Sequence, residues 1–506
     1  MGNAVGNLKE YWDLMRSHDK FIGGFIWDWV DQGLRKKTSD GQEYFAYGGD
    51  FGDVPNNGHF CLNGIVFADR SLPPKIKEVK KIYQRIGFKA NDALNGEITI
   101  TNRYDFLNLN QFDMSWTLSR DGKILHSGRL PTLELAPDSL KVVNIPFKQP
   151  ELRAGAEYWL RLSATLKSDQ LWAKAGTEMA WQQIKMPFPV PQRPVLDLAI
   201  MDNLQVDENN TQITIRNSNF SMQFSKTKGR ITALKYGRNK VIADQMGPVL
   251  NVYRAPTDND RNLLGNWKRK DYWADAGLDH MQVKVESVRL QKQNSKKIKL
   301  VVQTSHRPGS ENAFYHQCVY TVYGNGIIHL ENRIQPFGDL PPLPRLGLVM
   351  HVASAYENLT WYGRGPHENY NDRKESAAVD VYQSTVTDQY VAYPRPQETG
   401  NKEDVRWAAL TDHSGAGFMV AADTRVAMTA VHYTAQDLAA AAHTFDLKPR
   451  SNVILSLDYM QRGLGNSSCG PTTLKKYEIP IQTCTYGFSI RPLKALKADA
   501  VIPALP

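Results

Sequence analysis

Acidic residues crowd into five turn-like stretches of the sequence: "FIWDWVDQ" (25–32), "YGGDFGD" (47–53), "RAPTDND" (254–260), "GPHENYNDR" (365–373) and "PQETG" (396–400). Two carboxyl groups flanking a sugar bond are the tools of glycoside hydrolysis. Asp and Glu in such turns also cap backbone amides, and no spacing here singles out an acid/base pair among Asp28, Asp50, Glu368 and Glu398. His316, His351 and His367 lie in or beside strand patterns, without the HxxxH or HExxH spacing of a metal site. There is no GxSxG elbow and no P-loop. Cys61, Cys318, Cys469 and Cys484 suit neither a zinc site nor a disulfide framework, so reduced thiols are expected. "GGFIWDWVDQ" (23–32) sets Trp27 and Trp29 beside Asp28 and Asp31. Indole faces suit the C–H face of a sugar and equally the core of a sandwich.

The elements that must position these residues follow from periodicity. Residues 4–18 predict a helix with Val5, Leu8, Trp12 and Met15 on one face, Asn3 as its cap and His18 near its end. "FIGGFIWDWV" predicts a buried strand, apolar on both faces as parallel strands are. A second helix is predicted in "PPKIKEVKKIYQRI", opened by its prolines. A lone parallel strand cannot satisfy its backbone, so the opening reads as the tail of a larger α/β unit. From about residue 95 the pattern alternates, as in "AEYWLRLSATL", where Tyr158, Leu160, Leu162 and Ala164 share a face. Asp121-Gly122 is a hairpin signal, and this stretch predicts an immunoglobulin-like sandwich. "MPFPVPQRPVL" (186–196) is a stiff proline linker. Residues 205–493 are nearly all strand and turn, and the last residues read as a loose tail.

A chain of 506 residues is too long for one core and predicts about two to four domains. The net charge of +9 is spread over short clusters such as "KKIYQR", "NWKRK" and "NSKKIK". No basic stripe alternates with exposed aromatics, so no nucleic-acid partner is expected. No run of about 18 apolar residues occurs, so no membrane partner is expected. The N-terminus lacks the pattern of a signal peptide. The compartment stays open, with a soluble protein of cytoplasm or periplasm expected.

"GGFIWDWVDQGL", "YGGDFGDVPNNGHFCLNGIVFADR", "RAPTDND", "WYGRGPHENYNDR" and "PQETGNKEDVRW", in that order, resemble the large five-domain β-galactosidases of glycoside hydrolase family 2. The resemblance implies a mostly β fold with a small α/β start. Residues 1–86 would be the end of the catalytic TIM barrel, 87–190 an immunoglobulin-like β-sandwich and 191–204 a linker. Residues 205–493 would be a galactose-mutarotase-like β-supersandwich, and 494–506 a tail. "GGFIWDW" resembles the eighth barrel strand, and Trp27 the tryptophan that lies against the galactose ring. "HFCLNG" resembles a sodium-binding loop, with the Phe60 carbonyl and the Asn63 side-chain oxygen as ligands. Substrate-binding residues would be Trp27, Asn63 and Cys469, the last standing where some relatives carry a rim tryptophan. The family's nucleophile, its acid/base glutamate and its magnesium ligands would all precede Met1, so no catalytic residue is expected within this sequence. The resemblance thus implies the C-terminal portion of a retaining β-galactosidase. Its partners would be a β-galactoside, the N-terminal part of the enzyme and, when complete, further copies of itself. The alternative is a non-catalytic complementing or carbohydrate-binding subunit of a split β-galactosidase. An independent epimerase using His351, His367 and Glu398 is a third expectation to be tested.

Overall fold

The computed structural model describes residues 2–261, 272–309 and 312–494. The basic cluster "NWKRK" and the tail from residue 495 lie outside the described residues.

The opening of the chain holds two helices, Leu8–Arg16 and Lys75–Ile82, and one hairpin, Leu34–Lys37 with Glu43–Ala46. Val5, Leu8, Val79 and Ile82 are buried together. Trp12 stacks on Tyr83 with centroids 4.1 Å apart, so the predicted apolar face is the packed one. The first helix begins four residues later than its periodicity suggests. Val5 and Asn7 have φ of 70° and 58°, which a helix cannot contain. Asn3 caps nothing, because its side chain donates to Tyr370 Oη and to the Glu398 carbonyl, each at 2.8 Å. Residues 2–7 are instead a strap laid on a distant part of the chain.

The buried strand expected over 21–30 is not formed. Its large side chains stand in the open, with Trp27 at 78% and Trp29 at 60% exposure. Only one edge has a neighbour. Asp28 N donates to the Asn63 carbonyl and Val66 N to that of Trp29, both at 3.0 Å, around a parallel bridge between Val30 and Val66. A central strand needs partners along both edges and cover on both faces. Among the described residues it has one partial edge.

The middle of the chain is a seven-stranded sandwich. Ile86–Asp92, Glu97–Asn102 and Ser139–Asn144 form one sheet. Lys123–Arg129, Phe112–Arg120, Tyr158–Leu166 and Glu178–Lys185 form the other. Asp121 and Gly122 make the two-residue turn with φ of 47° and 85°, the left-handed pair that a tight hairpin requires. Tyr158, Leu160, Leu162 and Ala164 point into the shared core. Met186 and Phe188 are buried in it too, so the first half of the proline stretch is sandwich rather than free linker.

The remainder is one large β unit. A five-stranded antiparallel sheet runs from Gln205 to Lys240, and a twelve-stranded antiparallel sheet contains the rest. One apolar core packs residues of both sheets together. The sandwich docks on this unit through Trp159, whose Nε1 donates to Tyr362 Oη at 3.2 Å, and through Glu157, 2.8 Å from Arg406. No helix among the described residues is long and apolar enough to cross a membrane.

The strap depends on glycine. A Cβ on Gly6 would lie 2.1 Å from Asp372 Oδ2 and 2.5 Å from the Gly465 amide nitrogen. Gly6→Ala should lower stability by about 1–3 kcal/mol and open the bonds after Lys9 and Arg16 to trypsin, as read by mass spectrometry of limited digests. Unchanged cleavage would mean that the strap holds without this close approach.

Candidate functional site

Three residues singled out in the sequence meet at one place. Trp27, Asn63 and Cys469 line a single cavity of about 360 Å³. The first helix contributes Tyr11, Trp12 and Met15 to its wall, and Tyr83 follows from the second. Trp27 rests beside this wall because Asp28 N is tied to the Asn63 carbonyl. Cys469 sits on a loop that the strap holds: Asn466 Nδ2 donates to the Gly6 carbonyl at 2.6 Å. Leu464 N and Gly465 N both donate to Asp372 at 2.8 Å. The cavity is therefore aromatic on one side and lined by a thiol and an amide on the other. That lining suits a small ring with both apolar and hydroxyl faces.

Asn63 Oδ1 is buried and accepts no hydrogen bond among the described residues. An orphaned amide oxygen is costly unless something supplies positive charge, and a hard cation does so. Asn63 Oδ1 is thus open to a hydrogen-bond donor or to a hard cation. Phe60, its expected companion, lies in the one-turn helix Gly58–Cys61, with its ring half exposed.

The carboxylates of the five acidic stretches do structural work instead. Glu368 is buried, accepts from Gly400 N at 2.7 Å and pairs with Arg373 at 3.1 Å. Glu398 is buried against Arg345 at 2.7 Å. Asp260 pairs with Arg254 at 2.9 Å in a fully buried contact. Asp50 accepts from Tyr47 N at 2.8 Å and meets His443 Nε2 at 2.9 Å. Asp28 accepts from Gln32 at 2.9 Å, and Asp31 from Gly64 N at 2.8 Å. Asp258 accepts from Gly2 N at 2.8 Å and lies 3.0 Å from His59 Nε2. Burial opposes ionisation of Asp258, but the charges of His59 and Arg261 outweigh it and hold its carboxyl below the usual range.

The expected epimerase set does not assemble. His351 and Glu398 border another cavity, which His367 does not reach. His367 Nε2 is bound to Ser376 Oγ at 2.8 Å, and burial, with Lys77, Arg373 and Lys402 nearby, pushes its pKa down to about 3. A neutral imidazole fixed this way is no acid near pH 7. The contacts that build the main site escape sequence reasoning because they join residues far apart in the chain, from Asp28 with Asn63 to Asn466 with Gly6. Only the apolar face of the first helix signals that something aromatic lies there.

Comparison with known proteins agrees with this architecture. Residues 216–490 match the family model described as beta galactosidase small chain, and 98–187 that of beta-galactosidase domain 4. Residues 1–88 match the TIM barrel domain of glycosyl hydrolases family 2. A β-galactosidase of Priestia megaterium (strain DSM 319 / IMG 1521) is 36% identical over 97% of this chain and 47% of its own length. Beta-galactosidase 2 of Enterobacter cloacae is 31% identical over 97% of this chain and 47% of its own. The chain spans about half the length of the curated relatives it matches. Among solved structures, a galactose 1-epimerase from Lactobacillus acidophilus NCFM covers 58% of this chain at 9% identity with a TM-score of 0.29, too low to bear on function.

Two outcomes separate structural from catalytic carboxylates. Glu368→Ala would strand the buried Arg373 and should cost about 3–5 kcal/mol in urea unfolding. A loss under about 1 kcal/mol would show that Glu368 is not holding the fold. Asp258 has a depressed folded pKa, so its contribution is present above the unfolded value of about 4 and is lost as pH falls below it. Asp258→Asn should therefore lower the melting temperature at pH 7 and flatten its decline on the acid side of pH 4.

Proposed function

The chain belongs to the β-galactosidases of glycosyl hydrolase family 2, and from that membership we propose that it is the C-terminal portion of a retaining enzyme that removes terminal non-reducing β-D-galactose from β-D-galactosides. The observation that carries the reading is the convergence of Trp27, Asn63 and Cys469, from three distant parts of the chain, on one cavity.

In this reading Trp27 offers its exposed indole to the apolar C–H face of the galactose ring. The Phe60 carbonyl and Asn63 Oδ1 would hold Na⁺, which when bound would supply a positive charge beside the sugar hydroxyls. Cys469 borders the entrance, where the aglycone leaves. The reaction itself needs two glutamates about 5 Å apart, one nucleophile and one acid/base. They belong to the N-terminal part of the enzyme, as do the magnesium ligands. The exposed run Phe21–Trp29 is the surface against which that part of the barrel packs, and burying it supplies the missing strand contacts. Exposed apolar surface of this extent is characteristic of an interface.

The test is hydrolysis of o-nitrophenyl β-D-galactoside. The purified 506-residue chain should show no turnover. Turnover should appear when it is co-expressed with the N-terminal portion of the Priestia megaterium relative, and Trp27→Ala should lower the kcat/KM of that complex roughly tenfold or more. Turnover by the chain alone, or a Trp27→Ala complex as active as the parent, would overturn the reading.

A further inference from the structure

A second cavity, of about 750 Å³, opens inside the large β unit, away from Trp27 and Asn63. Its floor is the inner face of the twelve-stranded sheet. Along Lys297–Arg307 the inward positions read Ile298, Leu300, Val302, Thr304 and His306. On the next strand, Ala313–Tyr323, they read Phe314, His316, Cys318, Tyr320 and Val322. The inner face of a sandwich is expected to be apolar throughout, yet both strands turn polar at the same level, where Thr304 is paired with His316. The two imidazoles lie 6.2 Å apart. His306 Nε2 meets Thr304 Oγ1 at 2.9 Å, and His316 Nε2 meets Asn332 Oδ1 at 3.1 Å. Burial and the adjacent His316 push the pKa of His306 down to about 3, and burial pushes that of His316 down to about 4. Both rings are therefore neutral at pH 7, and both line the cavity, where a neutral imidazole offers one donor and one acceptor nitrogen.

The rim carries charge that is not cancelled within the cavity. Gly229, at φ of 64°, brings the loop 227–230 so close that a Cβ would lie 3.0 Å from Thr304 Cγ2. That places Arg230 at the cavity edge. Its Nε is buried with no hydrogen-bond partner among the described residues. Lys228 beside it is bound only to the neutral Gln245, at 2.9 Å. Of the other basic side chains lining the cavity, Arg450 is paired with Asp437 and Arg345 with Glu398, while His280 meets Asp279 and His351 meets Asp244.

We propose that this cavity is a second ligand site that takes an acidic monosaccharide, its hydroxyls meeting His306, His316 and Thr304 and its carboxylate meeting Arg230 and Lys228. The volume is that of a small-molecule site. A guanidinium fork matches a carboxylate better than it matches a hydroxyl. The site is independent of galactoside hydrolysis.

Titration calorimetry of the full chain tests it, with D-galacturonate and D-galactose as probes. In the Trp27→Ala chain, which removes the galactose platform of the other cavity, galacturonate should still bind, and at least tenfold more tightly than galactose. Arg230→Met should weaken galacturonate binding at least tenfold. Lys228→Met, on an exposed side chain, should weaken it severalfold even where the Arg230 variant fails to fold. Equal affinity for the two sugars or no binding of galacturonate in the Trp27→Ala chain, or full binding in Lys228→Met, would each overturn the proposal. None of these readings involves turnover, so failure here leaves the galactosidase assignment intact, and failure of that assignment leaves this site open to the same test.

Discussion

Arg373 joins the two ends of the molecule. Its guanidinium is 2% exposed, donates to the Ala4 carbonyl at 2.7 Å and pairs with Glu368 at 3.1 Å. A charge taken this far from water is tolerable only when every donor is met. The strap of residues 2–7 meets one of them through the Ala4 carbonyl. Around it the same logic repeats: Lys75 Nζ donates to the Gly2 carbonyl at 2.9 Å, and Asn3 N to Gln397 Oε1 at 2.9 Å. Burial lowers the Lys75 pKa to about 8, so even this lysine is held against a desolvation cost. The strap and the acidic loops of the large β unit each leave buried polar groups that only the other can satisfy.

That dependence decides where the candidate site can exist. The first helix grows from the strap and carries Tyr11, Trp12 and Met15 to the cavity wall. The loop with Cys469 is pinned by Asp372, whose neighbour Arg373 holds the strap. Glu78, on the second helix, accepts from Ser376 N at 2.8 Å and fastens the other side. One polar seam therefore fixes three walls of the cavity. The opposite side, residues 21–30, has no such seam and stands exposed, because a strand is stable only with neighbours along its edges. The chain is closely bonded where its own loops complete it and exposed at residues 21–30.

The large β unit combines two kinds of interior. Most inward positions are apolar and form a continuous core. At one level the core gives way to Thr304, His306 and His316, and the space above them stays unfilled. Buried imidazoles and hydroxyls cost stability unless paired. Here they are partly paired along the sheet and partly turned to the cavity.

Local pattern made a good part of the architecture legible. The period-two alternation of Tyr158–Leu166, the left-handed pair Asp121-Gly122 and the apolar pair Leu8 and Trp12 each depend on residues a few positions apart, and each packs as its spacing implies. Ordered motifs also identified the family. Spacing could not say which carboxylates are consumed in polar pairs, because partners such as Asp258 with His59 and Glu398 with Arg345 lie far apart in the sequence. Nor could it foresee that helical periodicity fails at residues 4–7, where Asn7 N donates to the Asp372 carbonyl and the Ala4 carbonyl accepts from Arg373. The sequence by itself determined the elements, since their causes are local. Only the tertiary structure decided that Trp27, Asn63 and Cys469 share one cavity, since that rests on burying charges whose partners lie hundreds of residues away.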